Sequence, residues 1–134
     1  MLRRLGIVVA LAFLAAGCGV RNSNPFTAKA SAPCLKGHGF TEVTTDPSQV
    51  GFIAGFADKG GIRAKSPSGN ELTIAFTADA GSVDSTEQAF RTHAPKYLRP
   101  HMADIMETNR NAVLVWTITP DPNELHTAQL CLHS

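Results

Sequence analysis

The strongest constraint on the fold of this chain is a pair of alternating segments on either side of a short turn. Residues 62–66 (IRAKS) and 71–77 (ELTIAFT) alternate apolar with polar side chains, as a strand with one buried face does. Residues 67–70 (PSGN) between them are all of types that favour tight turns. The three segments together predict an antiparallel β-hairpin whose apolar side chains lie on one face.

Two further segments predict the other strands. Residues 40–45 (FTEVTT) are short, alternating and rich in β-branched side chains. Residues 112–119 (AVLVWTIT) are almost continuously apolar, which is typical of a strand that is covered on both faces. We therefore expect a small, mostly antiparallel sheet of about four strands, with residues 112–119 as its central strand.

Three helices are expected around this sheet. A short helix carries Cys34, a longer one begins near Ser82, and a C-terminal helix begins at Asp121. Pro95 and Pro100 interrupt the apolar periodicity of the second helix, so we expect it to be bent or divided. The expected order of elements is helix, strand, hairpin, helix, strand, helix. This order predicts an α+β fold, with a single domain and helices packed on one face of the sheet.

Residues 48–61 (SQVGFIAGFADKGG) hold Val50, Phe52, Ile53 and Phe56 among four glycines. We interpret this segment as a loop or short irregular helix that covers the core. A mobile loop that gates a ligand site is the alternative.

An apolar run close to the N-terminus ends at Cys18. Arg3 and Arg4 precede residues 5–16, which are apolar apart from one glycine, and this is the architecture of a signal peptide. The run is shorter than the roughly 20 apolar residues of a transmembrane helix. Residues 15–18 (AAGC) resemble the lipobox of bacterial lipoproteins, although Ala15 stands where that family usually has Leu, Val or Ile.

The lipobox resemblance implies that Cys18 carries lipid, becomes the mature N-terminus and anchors the chain to the extracytoplasmic face of the cell membrane. An ordinary secretory signal and an uncleaved anchor are the alternatives. The predicted organisation is a signal peptide over residues 1–17, the lipidated Cys18 with a flexible tether over residues 18–33, and an α+β globular domain over residues 34–134. The segments GNELTIAF and NAVLVW and the terminal Cys-Leu resemble small uncharacterised actinobacterial-type lipoproteins, a resemblance that implies no activity.

Two cysteines remain besides Cys18, one at each end of the predicted domain. Because export places the chain in an oxidising compartment, we predict a disulfide between Cys34 and Cys131. The alternative is a zinc site formed by both cysteines with His38 and His133, but this spacing matches no standard zinc finger. We therefore predict no metal and no cofactor.

The charge of the chain and the motifs that it lacks argue against nucleic-acid binding and against the common catalytic mechanisms. Without Arg3 and Arg4, ten basic residues face eleven acidic ones, and they are scattered, so no nucleic-acid partner is predicted. The sequence lacks the Gly-x-Ser-x-Gly, His-Glu-x-x-His and Gly-rich phosphate motifs, and no catalytic residue is predicted.

The histidine and large aromatic side chains do not require a catalytic or ligand-binding role. We expect one of His93 and His101 to be half-buried and the other solvated, and we expect Trp116 and Tyr97 to lie in the core. Together these features predict a non-enzymatic, membrane-anchored envelope lipoprotein that binds a protein partner or small ligand, or assists assembly. A small exported hydrolase that uses His93 or His101 and a metal-binding domain are the alternatives.

Overall fold

The computed structural model describes residues 24–134, in which five strands form one antiparallel sheet. The strands are β1 (Thr41–Thr44), β2 (Gly61–Lys65), β3 (Glu71–Phe76), β4 (Met106–Asn109) and β5 (Ala112–Trp116), and their order across the sheet is β1-β2-β3-β5-β4. The predicted α+β class and antiparallel sheet are confirmed. The predicted signal peptide and Cys18 lie outside the described residues.

The predicted hairpin is confirmed as β2 and β3, in which Ile62 pairs with Ile74. The Ser66 N–H donates to the Asn70 carbonyl at 2.9 Å, and the Gly69 N–H donates to the Ser66 carbonyl at 2.8 Å. Gly69 has φ +87°, a left-handed conformation that a residue without Cβ adopts at little cost. The turn chemistry that the sequence indicated therefore closes the hairpin.

The sheet differs from the prediction in two details. Strand β4 was not expected, because Ile105 and Met106 continue the apolar spacing of the preceding helix in the sequence. In the structure the helix ends at Ile105, and Met106–Asn109 pairs with β5 across a two-residue turn. The addition of β4 at the edge makes β3 the middle strand of the five and leaves β5 one place from the edge.

Helices cover both faces of this sheet, where the sequence predicted one. The helices within residues 24–134 are α1 (Ala28–Gly37), α2 (Phe52–Gly55), α3 (Val83–His93), α4 (Met102–Ile105) and α5 (Pro122–Leu130). Ile74 and Phe76 of β3 belong to the buried cluster that contains Leu35 of α1, whereas Ala75 between them belongs to the cluster that contains Ala54 of α2. Because consecutive residues of a strand point to opposite faces, α1 and α2 lie on opposite sides of the sheet.

Helix α1 begins inside the segment that was expected to be a flexible tether. Thr27 caps it by accepting a hydrogen bond from the Ala30 N–H at 3.2 Å, and Phe26 and Ala28 are buried. The predicted boundary at Pro33 is therefore corrected: Phe26 and the residues of α1 are part of the folded domain. The composition of this segment misled the prediction, because the apolar partners of Phe26 and Ala28 are distant in sequence.

The divided second helix is confirmed. Helix α3 ends at His93, Ala94 is extended before Pro95, and a 3₁₀ turn at Arg99–His101 leads into the short α4. No helix of residues 24–134 has the length and apolar character needed to cross a bilayer.

Candidate functional site

Helix α2 presents two exposed aromatic side chains. Phe52 is 74% exposed and Phe56 is 79% exposed, and their ring centroids are 5.1 Å apart. The ring of His93, at the end of α3, lies 6.4 Å from the Phe52 ring. We call Phe52, Ile53, Phe56, Phe90 and His93 the α2–α3 patch. Adjacent exposed aromatic side chains on a folded domain are typical of a surface that contacts another molecule.

The inner side of α2 is built from small residues that leave no space for these rings. Val50, Ala54 and Ala75 form a buried cluster, and a Cβ on Gly55 would lie 2.5 Å from the carbonyl oxygen of Pro47. The helix therefore rests directly on backbone. Since residues four apart share a helix face, Phe52 and Phe56 are directed together toward solvent.

The predicted short helix over the core is thus confirmed. Val50 and Ala54 do contribute to the buried cluster, but Phe52 and Phe56 do not. The segment is a short helix on the sheet, and its two largest side chains remain outside.

Two hollows adjoin the patch. The larger, of 330 Å³, lies between residues 50–54 and α3, with Thr73 among its lining residues. The smaller, of 170 Å³, continues past Phe90 to Leu98 and Val115. Pockets that enclose a drug-sized ligand usually measure about 300–1,000 Å³. These hollows are at or below the lower end of that range, so they suit individual side chains of a partner better than an enclosed small molecule.

Both histidines of the hydrolase alternative are exposed, whereas the sequence predicted one of them to be half-buried. Nδ1 of His93 lies 2.9 Å from the Ala89 carbonyl oxygen on its own helix. The ion pairs found within residues 24–134 include neither His93 nor His101. The clear role of His93 in this geometry is to extend the aromatic surface of the patch.

The two large aromatic residues expected in the core have different environments. Trp116 is buried and its ring lies 6.5 Å from that of Phe40, as predicted for a core residue. Tyr97 is 71% exposed, which corrects its prediction. The helical spacing that relates Tyr97 to Phe90 is lost because α3 ends before Pro95.

A third depression, of 740 Å³, lies over β1 and β2 and is polar. Arg63 donates to Glu71 at 2.9 and 3.0 Å, and Lys65 donates to Glu42 at 3.0 Å. The hydrogen bonds to Glu71 raise the pKa of Arg63 above its ordinary value. Since each of these cations already has a carboxylate partner, the depression has little charge to offer a ligand.

The Asp46 carboxylate, at the start of the segment that leads to α2, accepts hydrogen bonds from the Ser48 hydroxyl at 2.7 Å and the Ser48 N–H at 2.9 Å. The hydroxyl bond, followed by the backbone bond, holds the pKa of Asp46 below its ordinary value. These bonds fix the turn that precedes α2.

Cys34 and Cys131 are joined in a disulfide, as predicted, and their Cα atoms are 5.2 Å apart. Cys131 is fully buried and Cys34 is half-buried. Nδ1 of His38 lies 3.6 Å from the Cys34 sulfur and 3.7 Å from the Cys131 sulfur. His133, the fourth residue of the metal alternative, is exposed and is not part of this cluster.

Comparison of the chain with models of protein families, with curated proteins and with solved structures finds no match.

Proposed function

We propose that this chain is an envelope lipoprotein, anchored to the cell membrane by lipid on Cys18, whose folded domain binds a protein partner through the α2–α3 patch. The binding role is non-enzymatic. The observation that carries it is the pair of adjacent, exposed rings of Phe52 and Phe56, inclined at 58° to one another, on a helix that is packed against the sheet.

In a complex, the patch gains free energy from the burial of its two exposed rings. Full burial of a Phe side chain contributes about 1.5–3 kcal/mol, and aromatic anchors dominate many protein interfaces. The backbone contacts beneath α2 hold the helix that carries both rings in place before binding, so little backbone conformational entropy is lost when a partner covers them. The adjoining hollows supply recesses for apolar side chains of the partner.

The position of the patch is compatible with an anchor at Cys18. The Ala28 N–H donates to the Lys59 carbonyl at 3.0 Å, so the start of α1 meets the loop that follows α2. A fully extended chain from residue 18 to residue 24 spans at most about 20 Å. An anchored domain would therefore hold the start of α1, and with it the loop that follows α2, close to the membrane surface.

The binding proposal is tested with a photo-reactive phenylalanine analogue at position 56 of the full chain, irradiated in intact envelopes. We expect a discrete protein adduct that disappears when Phe52→Ser is added, because that change removes half of the aromatic surface. The matched control carries the analogue at Ile118, an exposed apolar residue (66%) beside Asn70 at the opposite end of the sheet, and should not give this adduct. Identical adducts from both positions, a lipid adduct or no adduct would contradict a protein partner at the patch.

The anchor is tested separately with Cys18→Ser. We expect the variant to lose incorporation of an alkyne-labelled fatty acid and to leave the detergent-rich phase, because the thioether attachment point is gone. Ser23→Ala, a change in the same N-terminal segment, should behave as the parent chain does. Unchanged labelling and phase partition of Cys18→Ser would show that the lipobox interpretation is wrong.

A further inference from the structure

We infer that reduction of the Cys34–Cys131 disulfide opens a site for one Zn²⁺ ion, with both cysteine sulfurs and Nδ1 of His38 as its protein ligands. This inference concerns the opposite face of the sheet from the α2–α3 patch. It does not depend on the proposed function.

The ligand atoms already have nearly the spacing that zinc requires. All three lie within 4.8 Å of one another, and Nδ1 of His38 is 3.6 and 3.7 Å from the two sulfurs. With Zn–S near 2.3 Å and Zn–N near 2.0 Å, tetrahedral coordination places nitrogen and sulfur ligands about 3.6 Å apart. The imidazole is therefore in position. The two sulfurs must move to about 3.8 Å from each other, and rotation of the cysteine side chains allows this once the disulfide is broken.

The C-terminal turn of α1 positions His38. His38 is the C-cap of this helix, four residues after Cys34, and its backbone N–H donates to the Cys34 carbonyl at 3.1 Å. Nδ1 of His38 also lies 2.9 Å from the same carbonyl oxygen. If Nδ1 turns to a metal ion, this carbonyl keeps its backbone donor, so no buried acceptor is left unpaired.

The two cysteines remain neighbours after reduction because other contacts hold α1 against the C-terminus. The Thr27 N–H donates to the His133 carbonyl at 2.8 Å, and the His133 N–H donates to the Ser31 hydroxyl at 2.9 Å. Leu35 and Ala128 are fully buried in the same core. Zinc therefore meets ligands that the fold has already brought together.

Burial defines the open side of the site. Cys131 is buried, Cys34 is half-buried and His38 is exposed, so an ion at the centre of the cluster would be reached from the His38 side. Three protein ligands with the fourth position facing solvent leave that position to water.

The redox step controls occupancy, because zinc binds thiolates and not a disulfide. A dithiol reductant gives two electrons to the Cys34–Cys131 bond: the S–S bond breaks, two thiols form and the reductant closes its own disulfide. Binding of Zn²⁺ then displaces two protons, one from each thiol. In the oxidised domain Cys34 and Cys131 are joined by the disulfide and bind no metal, and in the reduced domain the ion links them instead.

The test uses the full chain with Cys18→Ser, which leaves Cys34 and Cys131 as its cysteines, in detergent with a phosphine reductant. Competition against a chromophoric zinc indicator should give about one Zn²⁺ per reduced chain and none per oxidised chain. His38→Ala should weaken binding by at least about tenfold, the lower limit for losing even an outer partner of a ligand. His133→Ala is the matched control, because His133 is near Cys131 in sequence but outside the cluster, and it should bind as the parent does.

Cobalt(II) gives a second readout that does not depend on the indicator. The reduced parent and His133→Ala should show the visible bands of tetrahedral thiolate-bound cobalt, and the bands should be much weaker in His38→Ala. Zinc should also raise the Tm of the reduced parent but not of reduced His38→Ala. Equal zinc binding by the oxidised chain, equal binding by His38→Ala, or no binding by the reduced parent, whether folded or unfolded, would overturn the inference.

Discussion

Asn111 shows how one buried polar side chain can set the boundary of a domain. Its Oδ1 accepts from the Phe26 N–H at 2.8 Å, and its Nδ2 donates to the carbonyls of Phe26 and Thr77 at 2.9 and 2.8 Å. The guanidinium of the adjacent Arg110 lies 4.1 Å from the centre of the Phe26 ring. The segment before α1 is thus tied to the β4–β5 turn, which no local pattern around Phe26 indicates.

We expect Asn111→Ala to lower the free energy of unfolding by about 2–4 kcal/mol, because three buried hydrogen bonds are lost and their backbone partners are left unpaired. The measurement is urea unfolding of the full chain followed by circular dichroism. Asn123→Ala, at an exposed asparagine in the first turn of α5, should change the unfolding free energy by less than about 0.5 kcal/mol. Equal effects of the two substitutions would refute the structural role of Asn111.

At the scale of the element, glycine is required by the backbone of the β2–β3 turn but not by that of α1. Gly69 has φ +87° in the β2–β3 turn, where any side chain is strained. Gly37 ends α1, is not in the positive-φ region, and a Cβ there would meet nothing within 4 Å. The cost of adding one methyl group is therefore set by backbone conformation and not by space, since a Cβ on Gly69 would also meet nothing within 4 Å.

We predict that Gly69→Ala lowers the free energy of unfolding by about 1–2 kcal/mol through left-handed strain. Gly37→Ala is its matched control and should raise stability by up to about 1 kcal/mol, because alanine loses less entropy in a helix. Thermal unfolding of both variants with the disulfide intact measures the difference. Two changes of the same sign would contradict the assigned turn geometry.

Across the whole molecule, the disulfide ties the first helix to the end of the last one. Cys34 and Cys131 are 97 residues apart in sequence, and their bond closes most of residues 24–134 into one loop. In the chain-entropy description, a cross-link over such a loop disfavours the unfolded state by about 4.7 kcal/mol. For a domain of ordinary stability, this is a large share of the total.

Reduction should lower the free energy of unfolding by about 2–5 kcal/mol, measured by urea unfolding in the presence of a metal chelator. The chelator keeps the result independent of any zinc bound by the reduced chain. Cys18→Ser with the disulfide intact is the control and should unfold as the parent does, apart from effects of the lipid. A loss below about 1 kcal/mol would mean that the bond contributes little to the stability of the fold.

The elements that depended on local patterns were predictable from the sequence alone. Alternation in residues 62–77, with a turn of favourable residue types, was enough to identify the hairpin, because strand period and turn chemistry are properties of neighbouring residues. Pro95 and Pro100 divided the second helix as expected, since proline acts on its own backbone. Once Cys18 was assigned to lipid attachment, Cys34 and Cys131 could form only one intramolecular disulfide, with each other.

The tertiary structure alone decided which surfaces meet. Whether an apolar side chain is buried depends on the space available in the element that faces it, so the sequence of α2 could not show that Phe52 and Phe56 remain outside while Ala54 packs against Gly61. Strand β4 exists because β5 offers an edge with which Met106–Asn109 can pair. His38 reaches both sulfurs only when α1 and the end of α5 lie side by side. Each of these features joins residues that are distant along the chain, and local periodicity carries no information about such pairs.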